Sequence, residues 1–293
     1  MPHPSSTDAP CLTDEFSPIT EITVPIQGDQ RYERALSVAA TLADRWKLAV
    51  HIVHVRLPDD PVDNDRLESV RAAFQARHPQ IPTESTLVAG DAVAGALDPV
   101  VPSTALIVMS SDHADRDGSA STAEEILRHL GGPALLVGPQ ADSEHVVASV
   151  TVALDGSPTA ERALRAAVAF ATSLDSRVEL VQVVNKATAD HVARLREEGE
   201  NVSESGYLRS VADRLTAEGH NVGWEVVRDE DPVHGLISSN KSLGGGPIVI
   251  GTHGDTGLAR RMLGSTAMGL VAANNFPVLV VTTGGRDEAE LLP

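Results

Sequence analysis

The sequence predicts an α/β protein made of two tandem, doubly wound parallel sheets, each of five strands. Three observations carry this. Short apolar, β-branched runs alternate with helical patterns along the whole chain. The alternation occurs twice in the same order, and 293 residues suffice for two domains at roughly 150 residues each. The strands are apolar throughout rather than alternating, as parallel strands covered on both faces must be.

The repeat is read directly. Glu21-Ile-Thr-Val-Pro-Ile-Gln-Gly28 matches Ser149-Val-Thr-Val-Ala-Leu-Asp-Gly156, and Glu33-Arg-Ala-Leu36 matches Glu161-Arg-Ala-Leu164. Asp91 to Gly95 then matches Asp231 to Gly235, Leu106 to Met109 matches Pro247 to Ile250, and Gly132 to Val137 matches Phe276 to Val281. The spacing between partners only grows, so the order of elements is kept and the second half is longer, mostly between 185 and 206. In the first half, strands are predicted near 21–26, 49–56, 83–88, 105–109 and 134–138. In the second they fall near 148–154, 178–184, 222–227, 247–250 and 277–282, with helices near 158–173, 189–217, 231–240 and 265–274. The helix at 158 has Ser157 as N-cap and Pro158 in its first turn, and Ala160, Ala163, Leu164, Ala167 and Phe170 recur at helical spacing. The expected division is an N-terminal arm over 1–18, a first domain over 19–142 and a second over 146–284.

Composition narrows the functional classes. Forty-one acidic against 23 basic residues give a net charge of −18, which argues against nucleic-acid binding, since phosphate neutralisation needs surplus Lys and Arg. Two Trp, two Tyr and four Phe leave little aromatic surface for base stacking. One cysteine, Cys11, excludes an internal disulfide and a Cys-rich metal site. No run of about 18 apolar residues spans a membrane, and the polar start lacks a signal-peptide core, so a cytoplasmic location is expected.

The most informative segment follows the fourth strand of the second half: Gly251-Thr-His253-Gly254, nine residues, then Gly264-Ser265-Thr266 opening a helix. The strand is expected to stop at Ile250. Glycine allows positive φ and close approach of a ligand, consecutive free N–H groups form an anion nest, and a helix N-terminus adds partial positive charge. Such a loop holds a polyphosphate without a basic surface. Asp155 ends the first strand of the same half, and if strands one and four are neighbours it faces that loop. A carboxylate there suits ribose hydroxyls or a metal bridging phosphates.

Gly251, Gly254, Gly264 and Ser265 resemble, without a gap, the ATP-binding signature of the universal stress protein family, and Asp155 matches the acidic residue ending that family's first strand. The resemblance covers nearly the whole chain as two tandem copies. It implies a Rossmann-like or flavodoxin-like sheet of order 3-2-1-4-5, and ATP with Mg2+ or Mn2+ bridging its phosphates. It implies adenine read mainly by main-chain atoms near Ala153 and Val183, ribose near Asp155, and phosphates at Gly251, His253, Gly254, Gly264, Ser265 and Thr266, with Ala267 beside them and Leu154 and Ile250 as further binding residues. It also suggests that the last strands of the two halves pair with each other, making the chain a pseudo-dimer, with further homodimerisation plausible.

The first half departs from the signature. Gln27 stands for Asp155 and Ser110 for Gly251, Ala120-Ser121-Thr122 replaces Gly264-Ser265-Thr266, and Asp112, Asp115 and Asp117 would repel phosphate. ATP is therefore expected in the second half alone. The reading is an ATP-binding regulatory or stress-response protein acting on an unidentified protein partner, with the residues between Gly254 and Gly264 as a moving lid. No catalytic base or dedicated Lys is evident, so an enzyme is not favoured. The alternatives are a slow ATPase or phosphoryl-transfer enzyme, and a nucleotide-independent scaffold.

Overall fold

A computed structural model describes residues 18–26, 32–56, 64–90, 93–110, 126–127, 133–138, 141, 143–186, 189, 205–254, 265–273 and 276–284. The first half contains β1 (Glu21–Ile26), α1 (Tyr32–Trp46), β2 (Ala49–Arg56), α2 (Asn64–Arg77), β3 (Thr83–Ala89), α3 (Val93–Leu97), β4 (Ala105–Ser110) and β5 (Ala134–Val137). A short helix α4 (Ser143–Val146) leads to the second half: β6 (Ser149–Ala153), α5 (Pro158–Leu174), β7 (Arg177–Val184), α6 (Gly206–Ala217), β8 (Val222–Arg228), α7 (Pro232–Ser242), β9 (Ile248–Gly254), α8 (Ser265–Ala273) and β10 (Val278–Gly284).

The ten strands form one sheet of order β3-β2-β1-β4-β5-β10-β9-β6-β7-β8. Each half is therefore 3-2-1-4-5, parallel within itself, as the resemblance implied. The halves join where β10 pairs antiparallel with β5 through Val278–Leu136, Leu279–Leu135 and Val280–Ala134. Two apolar strand ends that would each be an open edge thus cover one another.

Helices lie on both faces. One apolar layer packs α1, α2, α5 and α6 against residues such as Ile22, Val50, Val152 and Leu180. The other packs Leu97 of α3, Leu236 of α7 and Leu270 of α8 against Val53, Ile107, Val181 and Ile250. Helix α5 starts as its sequence directs: Ser157 is extended, its Oγ accepts from Ala160 N–H at 3.2 Å, Pro158 sits in the first turn, and Asp175 closes the helix at φ 55°.

Two elements differ from expectation. The helix expected over 189–217 is not continuous: Ala189 is helical, its N–H donating to Asn185 C=O at 3.1 Å, residues 190–204 lie outside the described residues, Ser205 is in a turn, and α6 begins at Gly206. The fourth strand of the second half does not stop at Ile250. It runs to Gly254, because β10 continues beside it and pairs Gly251 with Val281, Thr252 with Thr282, His253 with Thr283 and Gly254 with Gly284. Among the described residues no helix is long and apolar enough to cross a membrane.

Candidate functional site

The site stands at the carboxyl ends of β6 and β9, the point from which connections leave to opposite faces of the sheet. β6 pairs with β9 through Thr151–Ile248 and Val152–Val249 and with β7 on its other side. Crossovers leaving the two central strands in opposite directions open a crevice there. The cavity has a volume of about 320 Å³ and is lined by Ala153, Leu154, Asp155, Ser157, Thr159, Ala160, Val181, Val183, Pro232, Leu236, Ile250, Gly251, Ser265, Thr266 and Ala267. Its size lies at the lower end of the range for small-molecule sites.

Its chemistry is graded. Val181, Val183, Leu236 and Ile250 form an apolar wall. The ladder between β6 and β7 closes with Leu154 N–H donating to Val181 C=O at 2.9 Å; β6 ends at Ala153, so Val183 stands beyond the last paired β6 residue. Asp155 is exposed at the mouth, and its Oδ1 accepts from Ser157 N–H at 2.9 Å. Gly156, at φ 80°, makes that turn possible. The starts of α5, α7 and α8 all contribute to the lining, since every helix of a parallel α/β unit begins at the carboxyl end of a strand. Three helix N-termini direct partial positive charge toward the cavity, and among the described residues its lining contains no Lys or Arg.

Behind Asp155, Tyr207 O–H donates to Glu161 Oε1, and Arg214 Nη2 stands 3.7 Å from Glu161 Oε2. Burial, the bond to Glu161 and the charges of Glu161 and Asp155 hold the Tyr207 phenol well above its usual range, so it stays a donor.

Nine of the residues expected from sequence line this one cavity: Ala153, Leu154, Asp155, Val183, Ile250, Gly251, Ser265, Thr266 and Ala267. The backbone of His253 and Gly254 belongs to β9. Gly264 and the nine residues before it, the expected lid, lie outside the described residues, as do Gln27 and the first-half segment 111–125. Gly251 has a different reason to be small from the one expected. It is not among the residues with positive φ, and a Cβ there would meet Thr159 O at 2.7 Å and Thr159 Cγ2 at 2.9 Å. The start of α5 presses on it. Sequence reasoning missed Thr159, Val181, Pro232 and Leu236 as lining residues. The Asp231-Pro232 start of α7 mirrors Ser157-Pro158 and was the available signal. Among the described residues no group of three or more His, Cys, Asp or Glu could hold a metal ion.

The universal stress protein family matches residues 148–282. The matched second half is a domain of that family. A universal stress protein of Mycobacterium tuberculosis is 28% identical over 172 residues, 55% of this chain and 55% of its own. The chain therefore spans about half the length of that relative. The Bacillus subtilis universal stress protein YxiE is 25% identical over 147 residues, 44% of this chain and 95% of its own. The crystal structure of a universal stress protein from Archaeoglobus fulgidus superposes with a TM-score of 0.68 over 90% of this chain and 98% of that one, at 18% identity, a likeness of fold.

Proposed function

We propose that this universal stress protein is a cytoplasmic ATP-binding regulatory protein, in which ATP bound by the second half acts as a ligand that sets conformation. The observation that carries the proposal is the gathering of Asp155, Gly251, Ser265 and Thr266 around one cavity. That cavity is apolar at one wall and ringed by helix starts. The parts of ATP fit it in kind. The purine takes the wall of Val181, Val183, Leu236 and Ile250, and the ribose hydroxyls take Asp155. The triphosphate takes the N-terminus of α8, with the Gly254–Gly264 loop closing over it. Asp155 is the one carboxylate in the lining among the described residues, so a divalent ion would be held mainly by the phosphates themselves. The two units are residues 19–142 and 146–284. The ATP-dependent state of the second would be read by a protein partner.

The direct test is to denature the purified protein, identify any nucleotide released, and titrate the emptied chain with Mg-ATP by calorimetry. One ATP per chain is the expected result. Asp155→Asn keeps the acceptor for Ser157 N–H but loses the charge, and should weaken binding by about tenfold or more, about 1.4 kcal/mol. Absence of bound nucleotide together with no thermal shift by Mg-ATP overturns the reading. Two equivalent ATP per chain overturns the assignment to the second half alone. Many turnovers per minute of hydrolysis would replace the ligand role with an enzymatic one.

A further inference from the structure

The sheet has two outer edges, β3 and β8. They hold the same position in the two halves and are finished differently. In β3 the hydroxyls are tied within their own half: Thr83 Oγ1 donates to Ile81 C=O at 3.0 Å, Ser85 Oγ donates to Glu68 Oε1 at 2.7 Å, and Thr86 Oγ1 lies 2.8 Å from His51 Nε2. In β8 the place of Ser85 is taken by Trp224, which is 42% exposed. The strand carries no Pro or Lys, the residues that commonly blunt an edge.

The backbone of β8 is open as well. Asn221 C=O accepts from Val178 N–H, and Asp229 N–H donates to Val184 C=O, so the odd-numbered residues turn their main-chain groups toward β7. Those of Val222, Trp224, Val226 and Arg228 therefore point out of the sheet. Among the described residues, the main-chain groups of Val222, Trp224 and Val226 have no hydrogen-bond partner.

We infer that β8 pairs antiparallel with β8 of a second copy of this chain, about a twofold axis through Val226. In this register Trp224 faces the partner's Arg228, and Glu225 faces the partner's Val227. Trp224 and Arg228 share one face of the strand, so an indole meets a guanidinium twice in the interface. With the axis one residue earlier, two copies of Glu225 would oppose each other, which is unfavourable. The one acid and one base of the strand cancel, so the contact joins neutral segments although each chain carries −18. The same device operates inside the chain, where β5 and β10 close their edges against one another antiparallel.

The test is sedimentation velocity of the full chain over a range of concentrations. A monomer–dimer equilibrium with Kd of about 10 μM or tighter is expected. Val226→Pro removes an outward N–H and leaves the bonds to β7 in place, while Trp224→Lys removes the indole; each should weaken the dimer by at least about tenfold. The unaltered protein gives an independent readout. Trp46 is fully buried, so acrylamide quenching reports Trp224, and it should fall as the dimer forms. A monomer at about 100 μM, quenching that does not change with concentration, a dimer that both variants leave intact, or growth beyond two chains would each overturn the inference.

Discussion

Gly251 shows how one residue can satisfy a sequence motif and a packing demand at once. With Thr159 O 2.7 Å from where a Cβ would sit, Gly251→Ala forces α5 away from β9. The expected cost is about 1–3 kcal/mol of stability in the nucleotide-free protein, read from thermal or urea unfolding. Unchanged stability with lost ATP binding would show that the glycine serves the ligand alone. Asp155 is the opposite case. It is exposed, its structural duty is one bond to Ser157 N–H, and an amide can perform that duty. This is why its asparagine variant isolates charge. Residue types at this site were legible in the sequence because the motif is local. The reason for Gly251 was not, because Thr159 lies 92 positions earlier and only the fold brings it near.

At the scale of an element, α7 carries a pH-dependent contribution of its own. Asp231 Oδ1 accepts from Val233 N–H, Asp229 Oδ1 accepts from Asp231 N–H, and His234 Nδ1 lies 2.6 Å from Asp229 Oδ2. The bond to Asp229 and its charge raise His234 above its ordinary 6.5. The bond to His234 is the largest of several effects lowering Asp229 below its ordinary 3.8. A raised histidine stabilises fully below its unfolded value, and this is lost as pH rises through the folded one. A depressed carboxylate stabilises above its unfolded value, and this is lost as pH falls through the folded one. The pair therefore contributes most between 3.8 and 6.5. His234→Ala should lower the melting temperature more at about pH 5 than at about pH 8, by a small amount because the imidazole is largely exposed. An NMR titration should place His234 above 6.5. Equal effects at both pH values would remove the ion pair from the account. Elements whose limits are set by caps, such as α5, were readable from sequence. β9 overran its expected end because its length is set by the partner strand β10, and local pattern does not record where a neighbour stops.

Across the whole molecule, the halves are held by more than the β5–β10 ladder. Trp46 is fully buried, its Nε1–H donates to Ser173 Oγ at 3.1 Å, and its ring meets Phe170 edge-on at 5.8 Å. Arg45 Nε donates to Ser173 O at 3.0 Å beside it. The last turn of α1 is thus locked to the last turn of α5 across the junction. Trp46→Ala should cost about 3–5 kcal/mol. If the sheet unfolds as one unit, that loss appears as a single transition moved to lower denaturant for probes in both halves. Loss confined to the first half, with an unmoved transition in the second, would mean that the halves are energetically independent. At saturating ATP the second half gains about 2.7 kcal/mol when the ligand is at about 100 times Kd, and in a coupled molecule that gain protects the first half too.

By itself the sequence determined the α/β class, the duplication, the strand positions within a few residues, and the family signature in the second half. All of these are written in short-range pattern: apolar runs, caps, and glycines at fixed spacing. Only the tertiary structure decided that β5 and β10 fuse the halves into one sheet. It also assigned Gly251 to helix packing and gave Thr159, Val181, Pro232 and Leu236 a share in the cavity. Each of these depends on atoms distant in sequence meeting in space, and a pattern of neighbours along the chain does not contain that distance.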